Sequence, residues 1–380
     1  DYTTSANRKA IAGSLWSAAV TESTSSAGAN RAGFINSNTS SGKAALALIK
    51  ASSGAATDAV LDSFSPEVFT GLSDYILTTT RTVTDGALSQ STMAKNGKWL
   101  VGAGYANAAN DYNGASSSAL NRKLSSGTTY LALNYQCDPS WKVGFFYGRN
   151  TGKTTSTYSS TNYSGNVMGL SLDGITQGQT PVMVKAAIAH TDLSFDTSRT
   201  TSLATSGNES IVDAASGTST SANNGLKGLS AQVTASIKLS DKDGLKVSPV
   251  LGLVYGRSTS DAFTEAGTGV NLVVNGMSES STRAILGVSL GYAATTDASL
   301  ALSLGLEKEL GSTSRTVDAS LDGNSFKVTD AGSNDVVTNI GIGAVINLGN
   351  DATFNVGAEF RGGNNYSGDR RINASFNKRF

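Results

Sequence analysis

The sequence predicts an all-β transmembrane barrel of about twelve antiparallel strands, with an N-terminal helical segment and a helix inside the barrel lumen. Three observations predict it. Apolar residues alternate with small or polar ones from about Gly97 onward, short and long connections succeed one another regularly, and the last alternating segment, Ile372 to Phe380, ends on an aromatic. In lipid every backbone N–H and C=O must be paired within the protein, so short alternating segments can span only as a closed barrel.

Composition agrees with this class. Charged residues are sparse at 15%, Gly numbers 42 and Pro 4, and Lys+Arg equals Asp+Glu, so neither a nucleic-acid surface nor an acidic tail is indicated. No apolar run of about 18 residues occurs, so any span must be built from strands. The chain begins at Asp1 without a basic and apolar leader, as expected of a product whose export signal has been removed. Cys137, beside Asp138-Pro139, reads as a turn residue and cannot form an internal disulfide.

Residues 1–65 read as a helical and linker segment, with short helices at Asn7 to Ala19 and Ala44 to Lys50. Ser65-Pro66-Glu67 is a helix start: a serine N-cap, proline at the first position and a carboxylate in the first turn. The helix that follows, within 66–95, dilutes Phe69, Leu72, Ile76, Leu77, Val83 and Leu88 with Thr78-Thr79-Thr80, Arg81, Thr84 and Asp85. Such a helix suits a wet channel interior rather than lipid.

Residues 96–380 supply the strands. Leu300, Leu302, Leu304 and Leu306 alternate with Ala301, Ser303, Gly305 and Glu307, and Phe354, Val356, Ala358 and Phe360 with Asn355, Gly357, Glu359 and Arg361. Short links fall near residues 137–139, 174–179, 240–244, 295–297 and 349–351. Long ones fall near 107–123, 151–161, 198–223, 257–277, 311–331 and 361–369. Barrels place their long loops on one rim, which favours a barrel over a soluble sandwich. Trp141 and Tyr292 beside short turns, and Tyr105, Tyr147, Tyr255 and Phe360 towards the long loops, stand where interfacial girdles belong.

The organisation resembles the C-terminal translocator domains of bacterial autotransporters, the type V secretion proteins. The likeness rests on Asn7-Arg8-Lys9-Ala10-Ile11-Ala12, on Leu61-Asp62-Ser63-Phe64-Ser65-Pro66-Glu67-Val68-Phe69, on the linker helix and on terminal Phe380. It implies an outer-membrane location in a Gram-negative-type bacterium and a passenger carried to the surface. The implied partners are that passenger or a surface protein, the barrel-assembly machinery, and outer-membrane lipid and lipopolysaccharide, with no nucleic acid. It also implies that Phe376, Lys378 and Phe380 belong to the barrel-assembly signal and that Asn96 is a candidate cleavage junction. Lys378 departs from the family pattern, which has an apolar or aromatic residue there, and the helical segment of residues 1–65 is too short to be an exported β-solenoid.

With Leu300 and Phe354 facing out, Lys142, Asp173, Lys185, Lys238, Lys246, Arg283, Glu307, Glu359, Arg361 and Arg371 share the inner face. These charges either solvate the interior or hold the helix through Arg81 and Asp85, with Arg283, Glu307 and Glu359 as candidate contacts. No enzyme is expected. His190, the single histidine, has Asp192 two residues on, a weak base and orienter pair, and Gly287-Val288-Ser289-Leu290-Gly291 lies in an alternating strand rather than at a nucleophile elbow. One Cys and one His offer no metal site, and no cofactor is indicated. The expected function is passenger export or anchoring by an outer-membrane translocator. The alternatives are a stand-alone barrel anchoring a larger surface assembly, and a plugged porin-like channel.

Overall fold

The computed structural model describes residues 6–25, 42, 44–45, 48, 54–89, 98–112, 121–201, 217–242, 244–330, 335–363 and 366–380. Twelve long strands form an antiparallel meander: β1 (Trp99–Tyr112), β2 (Arg122–Asp138), β3 (Trp141–Thr155), β4 (Ser159–Ile175), β5 (Val182–Thr201), β6 (Gly217–Ile237), β7 (Leu245–Ser260), β8 (Met277–Ala293), β9 (Ala298–Glu309), β10 (Val336–Gly349), β11 (Ala352–Gly363) and β12 (Tyr366–Arg379). The sheet closes where β1 pairs with β12, in a register running from Leu100 opposite Arg379 to Tyr112 opposite Tyr366. Closure leaves no unpaired main edge, the condition for spanning lipid.

The strand period sets the two faces. Leu131, Leu170, Leu251, Leu286, Ile342 and Phe360 point outward, Leu131 with 63% and Leu251 with 61% of its surface exposed. Thr128, Asn134, Asn150, Asn355 and Glu307 point inward and are buried. A continuous apolar band of this extent is tolerable only against lipid.

Several expected long loops are in fact strand. β3 runs to Thr155 and β4 begins at Ser159, leaving three residues where a loop over 151–161 was expected. β11 and β12 likewise extend to Gly363 and from Tyr366 into the expected 361–369 loop, and β1 continues to Tyr112 through Asn107. At Thr151 to Thr155 neither face carries an apolar side chain, so the alternation that marks a strand disappears while the ladder continues. In the 311–331 region the chain forms a hairpin of Arg315–Leu321 and Asn324–Asp330, turned by Asp322 and Gly323. Both turn residues have positive φ, 46° and 83°, the signature of a two-residue hairpin turn. This hairpin joins Val273–Val274 and Phe263–Thr264 in a four-stranded sheet on the long-loop rim.

The N-terminal helices pack on that rim sheet. α1 (Ala6–Ser25) begins as expected but continues past Ala19, and α2 (Gly54–Phe64) was not anticipated. The expected helix at Ala44 to Lys50 lies largely outside the described residues. A 3-10 turn, Pro66–Phe69, leads into α3 (Thr70–Ser89), and the Ser65 hydroxyl accepts the Glu67 N–H at 3.2 Å as N-cap. The main apolar core sits here and reaches into the mouth of the barrel through Tyr75 and Ile76 of α3 and Leu124, Tyr163, Leu193, Phe195 and Leu226 of the wall. It joins Ile11, Leu15, Val60, Leu61 and Phe64 of α1 and α2 to Phe69 and Leu72, and to Phe263, Val274, Val317 and Val328 of the rim sheet. Phe69 meets Phe263 edge-on at 5.0 Å.

The helix-filled lumen as candidate functional site

α3 enters the lumen from the long-loop rim and descends towards the short turns. Near its start Asp74 meets Arg122 at the outer end of β2, and at its end the Leu88 carbonyl accepts from Lys185 at 3.2 Å, close to the beginning of β5. A cation there suits the helix's free C-terminal carbonyls. The 20 residues of α3 span about 30 Å at 1.5 Å each, comparable to the hydrocarbon thickness.

A helix so rich in threonine survives because its hydroxyls are paired. Thr80, Thr82 and Thr84 each donate to the carbonyl four residues back at 2.7 Å. Thr80 also meets Thr191 of β5 at 2.7 Å, and Thr79 meets Ser126 of β2 at 2.7 Å. The Tyr75 hydroxyl donates to Asn150 at 2.7 Å, whose amide donates to Ser126 and Thr128 at 2.9 Å each. The Tyr75 ring stacks on Tyr163 with centroids 3.7 Å apart. One stripe is apolar: Val83 and Ala87 pack on Ala106, Tyr130, Ala132, Phe146, Val167 and Ala189, all on the inner wall of β1 to β5.

The opposite side of α3 is ionic. Arg81 donates two bonds to Glu307 at 2.7 and 2.5 Å, and the same carboxylate receives Arg361 and, at 3.3 Å, Asn339. Arg361 continues to Asp369 at 3.4 Å, Asp369 to Arg371 at 3.8 Å, Arg371 to Asp85 at 3.4 Å, and Asp85 back to Arg81 at 3.7 Å. Gln232 also donates to Asp85, at 3.0 Å. This ring of alternating charges ties one helix to β6, β9, β11 and β12. Beside it a cavity of about 70 Å³, lined among others by Arg81, Arg283, Arg315 and Arg371, has room for a few waters.

Close approach of helix and wall depends on glycine at two places. A Cβ on Gly256 would stand 2.7 Å from Leu77 Cδ2, and one on Gly228 would stand 2.7 Å from Ile76 Cγ1.

At the long-loop rim a second polar cluster locks the top of α3. Asp74 is 3.2 Å from Arg122 and 2.8 Å from Arg315, and Arg122 is 2.9 Å from Asp330 of the rim hairpin. Tyr112 donates to Asp330 at 2.7 Å, and the Arg122 guanidinium lies 4.3 Å above the Tyr112 ring. Arg199 and Glu265 form a fully buried pair, and Arg199 also donates to the Ser63 carbonyl at 2.5 Å, fastening α2. Glu67 is 1% exposed, and its carboxyl oxygens have no hydrogen-bond partner among the described residues. Burial first, then the Asp330 charge, push its carboxyl up to about 8, against the pull of Arg122.

Of the residues singled out from sequence, Arg81, Asp85 and Glu307 come together in the ionic ring. Arg283 pairs instead with Glu309 at 3.2 Å, and Glu359 with Arg361 at 3.7 Å. Arg361, Arg371, Asp369 and Gln232 complete the ring and were not singled out as helix contacts. The inward apolar patch was missed too, although Phe146 following Phe145, and Tyr130 preceding Leu131, break strict alternation and mark it. Phe376 faces outward, and Lys378, on the same face, turns its ammonium onto the Asn350 carbonyl in the short turn. The Phe380 N–H donates to the Trp99 carbonyl at 2.9 Å, and its ring is exposed at the short-turn rim. Asn96 lies outside the described residues. His190 and Asp192 are exposed on the outer surface, and Ser289 lies in mid-strand in β8.

A family model for the autotransporter β-domain matches residues 99–359. Among solved structures the fold is similar to the translocator domain of the autotransporter NalP from Neisseria meningitidis, with TM-score 0.60 and 14% identity over 79% of this chain and 93% of that one. It is also similar to the transport unit of the autotransporter AIDA-I from Escherichia coli, with TM-score 0.51 and 14% identity over 80% of this chain and 97% of that one. No curated protein matches the chain.

Proposed function

The chain belongs to the autotransporter β-domain family, outer-membrane translocators of Gram-negative bacteria whose role is passenger export, and we propose that this barrel keeps α3 as its plug once export is complete. In this reading residues 1–65 are the tail of the exported segment or its docking element, 66–95 the lumen linker, and 96–380 the barrel. The observation that carries it is the direction of α3. Its start lies at the long-loop rim among α1 and α2, and its end lies near the short turns where β1 begins. A segment left by hairpin export through the lumen would have this orientation.

The finer assignments follow from the same reading. Phe376, Lys378 and Phe380 form the strand that the barrel-assembly machinery engages, Asn96 is the candidate cleavage junction, and Arg81, Asp85, Arg283, Glu307 and Glu359 set the ionic lining around the helix. Outer-membrane lipid and lipopolysaccharide cover the apolar band. We assign no catalytic role. The exposed cap of α1 and α2 favours an anchoring component, because an exported segment docked there stays on the barrel.

Cysteine labelling tests the topology. Cys137 is exposed near the β2–β3 turn and Lys9 is exposed on α1. In intact cells a membrane-impermeant maleimide should label Lys9→Cys in a Cys137→Ser background, and should reach native Cys137 only after permeabilisation. Labelling in the reverse order would overturn the reading.

A further inference from the structure

The upper boundary of the lipid-facing band has a charge pattern that the translocator role does not explain. Following each outward face up from the apolar band, the first polar residue is Arg149 on β3, Lys227 on β6, Arg257 on β7, Lys308 on β9 and Arg370 on β12, all exposed. On β5 it is His190, and on the remaining strands it is uncharged or glycine: Asn107, Thr129, Asn166, Thr282, Thr338 and Gly362. No strand places an acid there. The lower boundary is different in kind, with Trp99, Tyr135, Trp141, Tyr292 and Phe380 at or near the strand ends.

Three of these cations border one face of the wall, β3 to β7. Arg149, Asn166, Asp192 and Lys227 lie on a single register line across β3 to β6, so the two cations are roughly 14 Å apart at the usual strand spacing. Arg257 pairs with Leu229, diagonal to Lys227 on the next strand. Arg149 and Arg257 each sit two residues above an outward tyrosine, Tyr147 and Tyr255. Below them the wall is bare hydrocarbon, with Met168, Leu170, Ile188, Leu251 and Leu253 exposed. Arg149, Lys227 and Arg257 make no ion pair among the described residues, whereas Lys308, two strands beyond Arg257, is paired with Asp335. Asp192 stands opposite Lys227 in register and offsets part of one charge, leaving the face net positive.

We propose that Arg149, Lys227 and Arg257, with Asn166 and His190 between them, bind the phosphate groups of a phosphorylated glycolipid of the outer leaflet, whose acyl chains lie on the Met168 to Leu253 wall. Guanidinium and ammonium groups beside a phosphate form charge-assisted bonds, and at the edge of lipid these are screened less than in bulk water. A free anion would leave the apolar wall beneath uncovered. A neutral lipid would leave the net positive charge of this face unanswered. The proposal rests on the barrel standing in the outer membrane and adds the site and headgroup chemistry.

The test uses the full chain, purified in detergent, with bisphosphorylated lipid A as probe and native mass spectrometry as readout. Dephosphorylated lipid A and inorganic phosphate serve as separate arms. The wild type should retain bisphosphorylated lipid A. The Arg149→Gln, Lys227→Gln, Arg257→Gln variant should bind it at least about tenfold more weakly, since one charge-assisted bond alone is worth that much. Dephosphorylated lipid A should bind weakly to both, and inorganic phosphate should not displace the probe. A control variant, Lys123→Gln with Lys153→Gln, changes two outward cations farther from the lipid and should bind as wild type. Faster gel migration of unheated than of boiled sample shows that each variant is a folded barrel. Equal binding by the triple variant and wild type, or by the two lipid A forms, would overturn the proposal while leaving the barrel reading intact. Loss of the fast-migrating band in the wild type would instead strike at the barrel.

Discussion

Where α3 runs through the barrel it is held by hydroxyl pairs, a ring of ions and one narrow apolar stripe. Above the rim, α1, α2 and the first turn before α3 are held by an apolar core shared with the loop sheet. The difference follows from the groups that each place offers the helices. A water-filled lumen presents groups that exchange one hydrogen bond for another at small net cost. Burial of apolar surface, worth roughly 25 cal/mol per Å², is greatest where the loop strands meet α1 and α2. The lumen therefore positions the helix, and the cap anchors its outer end.

Substitutions on either side can break this comparison. The largest effect is expected in the lumen. Glu307→Gln leaves Arg81 and Arg361 buried without their shared carboxylate, at a cost of about 3–5 kcal/mol. Channel conductance should rise and the heating midpoint of the fast-migrating band should fall, while the cap stays resistant to protease on intact cells. The converse is Leu61→Ala in the cap core, costing about 2–4 kcal/mol. It should expose α1 and α2 to protease without opening the channel.

Gly256→Leu should shift α3 through Leu77 at about 1–3 kcal/mol, raising conductance less than Glu307→Gln does. The smallest effect is a pH dependence confined to the cap. Because the folded-state pKa of Glu67 is raised, to about 8, the folded form holds a proton that the unfolded form has lost. Stability is then greatest at low pH and falls as pH rises through that value, by about 1 kcal/mol between pH 7 and pH 9. Protease resistance of the cap should decline over that interval, and Glu67→Gln should remove the decline.

The strands were legible wherever one face meets lipid, as in Leu300 to Glu307 and Phe354 to Arg361, because alternation is imposed by a single physical boundary. It failed above that boundary at Thr151 to Thr155, where both faces are polar and the strand continues unseen. α2 escaped notice between linker and motif, although Ala56, Val60, Leu61 and Phe64 lie on one helical face. In the lumen the parity argument placed Arg81, Asp85 and Glu307 on facing surfaces. It could not choose among inner-face charges, because strand register decides which of Arg283, Glu359, Arg361 and Arg371 stands level with the helix.

Single-channel conductance in planar bilayers, comparing the full chain with a variant lacking residues 1–95, tests most directly whether α3 is the plug. The full chain should be nearly silent, conducting only through the narrow space beside the helix, and the shortened barrel should open a large, steady pore. Equal conductance from the two would contradict the account.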